Sequence, residues 1–325
     1  SKAKRLTIRA RRLEQAQSLI DEIKEVAALE QSQVAQCVAK DNESDISDQK
    51  YDVLLNATPV GMWPNGSELP ILSPELHADM TVFDTIYNPP ATRLVLRAQK
   101  AGAKGIGGLS MLFYQALAAQ KIWHPDAHFD EDRMRPIMDM LPKRLLKQSP
   151  IKIVLTGFMG AGKSTIGRLL ATKLGVLFWD LDEEIERVRG MRISDIFRLD
   201  GEDNFRQLET MLSEELLKKK DAGVIAAGGG WITRPENRSI LEKGSVFTIY
   251  LDVSMETIWM RISSETHRPL IADDSISDKE RFSQAARLYS SRLPEYQSYC
   301  DLKIAADKTP EEVVKNIIAA LGYGG

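Results

Sequence analysis

The sequence predicts an α/β protein in two segments, each a parallel sheet with helices on both faces. Three observations carry this. Short apolar runs alternate with longer stretches of helical spacing, the pattern of βαβ units. The strongest runs end in turn-forming residues, as YDVLLN does before Ala57-Thr58-Pro59 and IKIVLT before Gly157. Between the two series lies a polar stretch marked by Pro125, Pro136, Pro142 and Pro150. That stretch places a domain over 1–141, a linker over 142–150, of which Pro142–Lys147 reads equally as the tail of a short helix, and a second domain over 151–325.

Element by element, Arg5–Ile8 is expected as a short strand and Leu13–Ala28 as a helix. Tyr51–Asn56 and Met80–Thr85 are buried-strand patterns, the second running into Asn88-Pro89-Pro90. Helices should follow over Ala91–Ala101 and roughly Ser110–Trp123. In the second segment Ile151–Thr156 is rich in β-branched residues and bounded by Gly157, so strand wins over helix. Ser164–Leu174 has apolar residues at helical spacing, with Gly175 just past its end. Val176–Trp179, Gly223–Ala227 and Val246–Asp252 read as strands. The remaining expected helices are Ile193–Arg198, Phe205–Lys219, Ser254–Ile262, Ser277–Ser290 and Pro310–Leu321.

Composition narrows the function. The chain has 325 residues, 43% hydrophobic and 27% charged, which suits two globular domains and argues against disorder or a fibrous repeat. No run approaches the ~18 apolar residues of a membrane span, and Ser1–Arg12 is basic with no apolar stretch behind it, unlike a signal peptide. Cys37 and Cys300 stand far apart, so neither a disulfide framework nor a thiolate metal site is expected. The expected compartment is the cytoplasm. Basic and acidic side chains number 19 and 19 over 1–150, and 24 and 27 over 151–325, so neither half has the basic excess of a nucleic-acid binder. The chain opens with Ser1, which reads as a processed or excerpted piece of something longer.

Gly157-Phe-Met-Gly160-Ala161-Gly162-Lys163-Ser164-Thr165 matches G-x-x-x-x-G-K-[ST] in full, between an apolar strand and a helix. Glycines at that spacing let backbone N–H groups curl around an anion, and the helix N-terminus adds its dipole. Lys163 would reach the β- and γ-phosphates of ATP, and the Ser164 hydroxyl would hold Mg²⁺. By chance the string should arise in on the order of one chain in a hundred of this length, so the signal is strong.

Three later signals bear on the acceptor. Asp180-Leu181-Asp182 closes the next strand, with both acids toward one end of the sheet; a helix N-cap with first-turn acids would look the same. Arg206 and Glu209 are neighbours at i, i+3 on a helix, usually a surface pair. Gly228-Gly229-Gly230 follows the strand VIAA, which implies backbone close to a ligand or else a tight turn.

In this order GFMGAGKST, DLD, NFRQLE, AAGGGWIT, HRPL and SRLPEY strongly resemble shikimate kinase, over about 170 residues from Ile151. The resemblance implies a P-loop kinase fold and transfer of a phosphoryl group from ATP to the 3-hydroxyl of shikimate, with Mg²⁺. It further implies that Asp180 serves Mg²⁺ through water and that Asp182 orients or deprotonates the accepting hydroxyl. Arg206 and Arg292 would clamp the carboxylate of shikimate, and Glu209 would hold Arg206. The backbone around Gly228, Gly229 and Gly230 would meet the substrate. Arg268 would swing in on a lid near Ser263–Ser275 and Arg261 would lie near the adenine. Another small-metabolite kinase of similar fold, such as a gluconate kinase, is the rival within the class.

The first half carries a second ordered set: Asn56-Ala-Thr58-Pro-Val-Gly-Met62, Asp84-Thr-Ile-Tyr87-Asn-Pro89 with Thr92, and Gly108-Leu-Ser-Met-Leu-Phe-Tyr-Gln115. These look like the C-terminal half of shikimate dehydrogenase, a Rossmann-like NADP domain. The resemblance places Arg9, Arg11 and Arg12 near the 2′-phosphate of NADP, Gln115 on shikimate and Tyr87 along its pocket. The glycine-rich pyrophosphate loop and the catalytic Lys and Asp of that family do not occur in the sequence given. The half is therefore expected to be an incomplete domain of a dehydrogenase–kinase fusion, without shikimate oxidation and cut first by proteases. NADP remains the one cofactor this half would take.

Overall fold

The computed structural model describes residues 5–29, 36–40, 50–70, 75–126, 131–263 and 277–324. The chain begins with β1 (Arg5–Arg9), α1 (Leu13–Leu29), β2 (Gln36–Lys40), β3 (Val53–Asn56) and β4 (Thr81–Asp84). It continues through α2 (Arg93–Lys100), β5 (Lys104–Ile106), α3 (Leu109–Trp123) and α4 (Glu131–Gln148). Next come β6 (Lys152–Thr156), α5 (Lys163–Leu174), β7 (Leu177–Asp180), α6 (Leu181–Arg189), α7 (Ile193–Lys218) and β8 (Gly223–Ala226). A short 3₁₀ turn, Trp231–Thr233, leads into α8 (Pro235–Leu241), β9 (Val246–Asp252) and α9 (Met255–Ile262). The last elements are α10 (Asp278–Tyr299), β10 (Leu302–Ala305) and α11 (Pro310–Ala320).

Two compact units result: Ser1–Tyr51 with Pro70–Glu75, and Asp52–Leu69 with Leu76–Gly325. In the first, β1 and β2 pair in parallel, Arg5 opposite Gln36 and Arg9 opposite Lys40. The crossover helix α1 buries Ala16 and Ile20, four residues apart on one face.

The second unit contains two parallel sheets, β10-β9-β6-β8-β7 and β3-β4-β5. Every residue of β6 is buried, as a central strand covered on both faces requires. Its neighbours are β8 and β9, so the strand order reverses at β6. Ligands of such sheets bind beyond the carboxyl ends at that reversal, where the glycine loop begins.

The compact units do not divide at the expected linker. Residues 142–148 belong to α4, which runs through Pro136 and Pro142. Pro142 and Leu146 are buried and Leu141 and Leu145 half-buried, so one face of the helix is covered. That burial outweighs the backbone bonds lost at the prolines. Ala91, Val95 and Leu96 lie in the same apolar cluster as Ile153, Phe247 and Leu302. The described residues of 52–69 and 76–150 thus belong to the same compact unit as the kinase-like half of the chain rather than forming a separate body. The expected helices over Ile193–Arg198 and Phe205–Lys219 meet in α7, broken at Gly201 (φ 82°, ψ 167°). The helix expected to stop at Ser290 continues through Pro294 to Tyr299, burying Tyr296. No described helix is long and apolar enough to cross a membrane.

Candidate active site

At the carboxyl end of β6 the chain turns through Gly157, Gly160 and Gly162. Gly160 (φ 76°) leaves no room for a side chain: a Cβ there would lie 2.6 Å from Cγ2 of Ile262. Gly162, at φ 87°, caps α5, and Ile166 N–H donates to its carbonyl at 2.9 Å. The N–H groups of the first turn of α5 precede the first intrahelical bond, and such a helix end suits an anion. Lys163 Nζ lies over the loop, 2.9 Å from the Gly157 carbonyl and 3.0 Å from that of Phe158. Arg261, from α9, donates to the Gly160 carbonyl at 3.0 Å. Phe158 is buried and meets Tyr289 of α10 edge-on at 5.5 Å, which fixes the loop against the core.

Asp180 ends β7 and caps α6, its Oδ1 accepting from Asp182 N–H at 3.1 Å. The two acids are therefore not both at the end of one strand, as the order of residues suggests. Asp182 sits in the first turn of a helix, where the capping bond makes helix cheaper than strand. The ring of Phe178 brings α5 close to β7: a Cβ on Gly167 would lie 2.5 Å from it. Ser164 is exposed one turn earlier and Asp180 is buried at the strand end. A hydroxyl and a carboxylate are hard oxygen donors, and such a pair fits Mg²⁺, which takes few protein ligands and keeps its waters. No group of three or more His, Cys, Asp or Glu side chains that could hold a metal ion occurs among the described residues.

Beyond β8, the glycine triplet is where the charged side chains converge. A Cβ on Gly228 would lie 2.0 Å from Glu209 Oε1 and 3.4 Å from Asp182 Oδ1. On Gly229 it would be 3.3 Å from Met159 N of the phosphate loop and 3.8 Å from Arg292 Nη1. On Gly230 it would strike the Arg206 guanidinium, 2.7 Å from Nη2. Close approach, not a turn alone, thus accounts for Gly228 and Gly230. Arg206 is anchored by Glu209 at 2.8 Å and by Glu202 at 3.2 Å. Two guanidiniums and two carboxylates therefore surround one stretch of backbone that touches the phosphate loop.

The first-half residues fall differently. Asn56 is buried and donates to Asp84 at 3.1 Å; its carbonyl oxygen accepts from the Thr58 hydroxyl at 2.7 Å. Asp84 also accepts from Thr92, the cap of α2, at 2.6 Å. Burial raises the Asp84 pKa despite these bonds. Gly108 sits against the Thr85 carbonyl, 2.0 Å from a Cβ placed there. Asn56, Thr58 and Gly108 are accordingly engaged in holding β3, β4 and the start of α2 and α3 together. Tyr87 and Gln115 are exposed. Arg9, Arg11 and Arg12 belong to the other compact unit, and Arg268 lies outside the described residues.

Comparison with known proteins agrees with this geometry. The family model described as "Shikimate kinase" matches residues 159–322. The chain belongs to the shikimate kinase family. A shikimate kinase of Persephonella marina is 39% identical over 171 residues, 52% of this chain and 98% of that one. The structure of shikimate kinase from Acinetobacter baumannii in complex with shikimate aligns with a TM-score of 0.50 and 33% identity, covering 55% of this chain and 95% of that one. A shikimate dehydrogenase in complex with NADP⁺ aligns at 30% identity and a TM-score of 0.34, over 42% of this chain and 54% of that one.

Within this shikimate kinase domain, sequence reasoning passes over two residues of the site. Glu202 is the second anchor of Arg206, and the i, i+4 spacing on a charged helix is the available signal. Tyr296 donates its hydroxyl to the Gly229 carbonyl, and burial raises its pKa. It lies one helical turn past Arg292, inside the SRLPEY block.

Glu209 is fully buried, and desolvation pushes it up to about 7, against the pull of Arg206. Its pKa in the folded protein exceeds that of an unfolded carboxyl, so its contribution to stability is full below about pH 4 and is lost as pH rises through 7. Unfolding free energies of Glu209→Gln should lose this decline between pH 5 and 8. A variant with the wild-type pH profile would assign the titration elsewhere.

Proposed function

We propose that this chain is an ATP-dependent shikimate kinase, transferring a phosphoryl group to the 3-hydroxyl of shikimate. The observation that carries the reading is the convergence at Gly228–Gly230 of Arg206, Arg292, Asp182 and Glu209, with Gly229 against the phosphate loop. A hydroxy acid has two features such a site can use. Its carboxylate suits a pair of planar guanidiniums, which present forked donors. Its hydroxyl needs a carboxylate to orient it or accept its proton, and the approach of Asp182 Oδ1 to Gly228 supports that role for Asp182.

The residues divide the work. Lys163 and the N–H groups of the loop bind the phosphates of ATP, with Arg261 bracing the loop through Gly160. Asp182 holds the acceptor hydroxyl in line with the transferred group. Arg206 and Arg292 hold the carboxylate, and Glu209 and Glu202 fix Arg206. Ser164 and Asp180 hold Mg²⁺, which when bound neutralises charge on the phosphates. Arg268 is assigned to charge stabilisation by the family resemblance. Phosphoryl transfer depends on positioning and charge stabilisation more than on covalent chemistry, and this set supplies both.

The test is a coupled ADP-release assay with and without shikimate. ADP release that does not depend on shikimate, or that gluconate elicits equally, would refute the assignment. Within it, Asp182→Asn should lower kcat by about 10²-fold or more while leaving ATP binding unchanged. Arg292→Lys should instead raise KM for shikimate, because an ammonium cannot present the fork. Equal effects of both substitutions on the two substrates would contradict this division.

A further inference from the structure

The helix that brings Arg292 and Tyr296 to the substrate site has its end capped by a residue from the first half. The last carbonyls of any α-helix lack intrahelical donors, and a nearby cation compensates them. The last turn of α10 has no basic side chain of its own, and its C-cap Cys300 is extended (φ −86°, ψ 145°) rather than left-handed. Lys100, the last residue of α2, supplies the charge. Its Nζ lies 2.5 Å from the Gln297 carbonyl and 2.7 Å from that of Cys300. The thiol of Cys300 is the other donor near Gln297, at 3.6 Å.

The capping is part of a larger contact. Arg93, Arg97 and Lys100 fall at i, i+4 and i+7, on one face of α2. Arg93 and Arg97 approach Asp301, the residue after the cap, at 2.9 and 3.6 Å. Arg93 also donates to the carbonyls of Leu241 and Val246 at 2.8 and 2.9 Å. One helix of the dehydrogenase-like segment thus grips the junction between α10 and β10. Tyr296, whose hydroxyl bonds to the Gly229 carbonyl, precedes Gln297 by one residue.

We propose that Lys100 is a positioning residue for the shikimate subsite, acting through the last turn of α10 on Tyr296, Arg292 and the Gly229 backbone. The inference rests on the proposed kinase function. It gives residues 52–150 a role in phosphoryl transfer that needs no dehydrogenase activity. The phosphate loop is braced by other contacts, Lys163 on its own carbonyls and Arg261 from α9. The effect should therefore fall on shikimate and spare ATP.

Steady-state kinetics of the full chain test this with Lys100→Ala and Lys100→Arg. Lys100→Ala should raise KM for shikimate about 3- to 5-fold, the size of one lost helix-end charge. KM for ATP and kcat should stay at wild-type values, the melting temperature should fall by no more than about 4 °C, and Lys100→Arg should restore KM. Unchanged KM for shikimate in Lys100→Ala, or a parallel rise of both KM values with a lower melting temperature, overturns the inference alone. Wild-type protein that releases no ADP on addition of shikimate overturns the proposed function and this inference with it.

Discussion

Lys163→Ala should reduce kcat for shikimate phosphorylation by about 10²-fold or more, the typical loss for one preorganised charge on a reacting group. The ammonium lies 2.9–3.0 Å from two carbonyls of the glycine loop, so it is already held where the phosphates would enter. Arg261, the cation across the loop, is committed to the Gly160 carbonyl. The measurement is shikimate-dependent ADP release at saturating substrates, with circular dichroism to confirm that the fold survives. A variant keeping half the activity would remove Lys163 from the mechanism.

Arg93→Ala should lower stability by about 3–5 kcal/mol, the usual cost of leaving one member of a buried ion pair alone. The guanidinium is 7% exposed and its partner Asp301 3%, with Nε and Oδ1 2.9 Å apart. It also bonds to carbonyls of Ser67, Leu241 and Val246, the first in the loop before β4 and the other two flanking the turn between α8 and β9. Asp301 would keep the Thr248 N–H at 3.0 Å, the more exposed Arg97 and the charge of Lys100. Urea unfolding would measure the loss. Asp301→Asn in the same background should recover part of it, because the stranded charge is then gone. A loss below about 1 kcal/mol would show that the pair does not tie residues 52–150 to the kinase core.

Much of the site is legible in the sequence because its chemistry is local. The phosphate loop needs its glycines and lysine within eight residues of one another, after a strand and before a helix, and Gly157–Ser164 shows all of that in one string. The short acidic motif at Asp180 stands out for the same reason, though its capping of α6 is only one of two readings. The convergence at the glycine triplet is less legible. Arg206, Gly230 and Arg292 are far apart in sequence, and only the family resemblance joins them. Tyr296 and Glu202 give no signal that a surface helix would not also give.

The sequence by itself determined the parallel α/β architecture of the kinase half, its phosphate-binding loop and the family to which it belongs. Apolar periodicity and a contiguous motif are properties of neighbouring residues, so they survive without a fold. Only the tertiary structure decided how the first half is used. From Asn56 and Thr58 the sequence suggests remnants of a ligand site, whereas in the fold they bond to each other, and Asn56 bonds to Asp84, which holds the Thr92 cap of α2. From four prolines it leaves Pro142–Lys147 as either a linker or a helix tail, and burial of Pro142 and Leu146 decides for helix. Arg93 and Asp301 are separated by about two hundred residues, and nothing local marks them as partners. Desolvation makes each buried charge depend on the other, and that coupling exists only once the chain is folded.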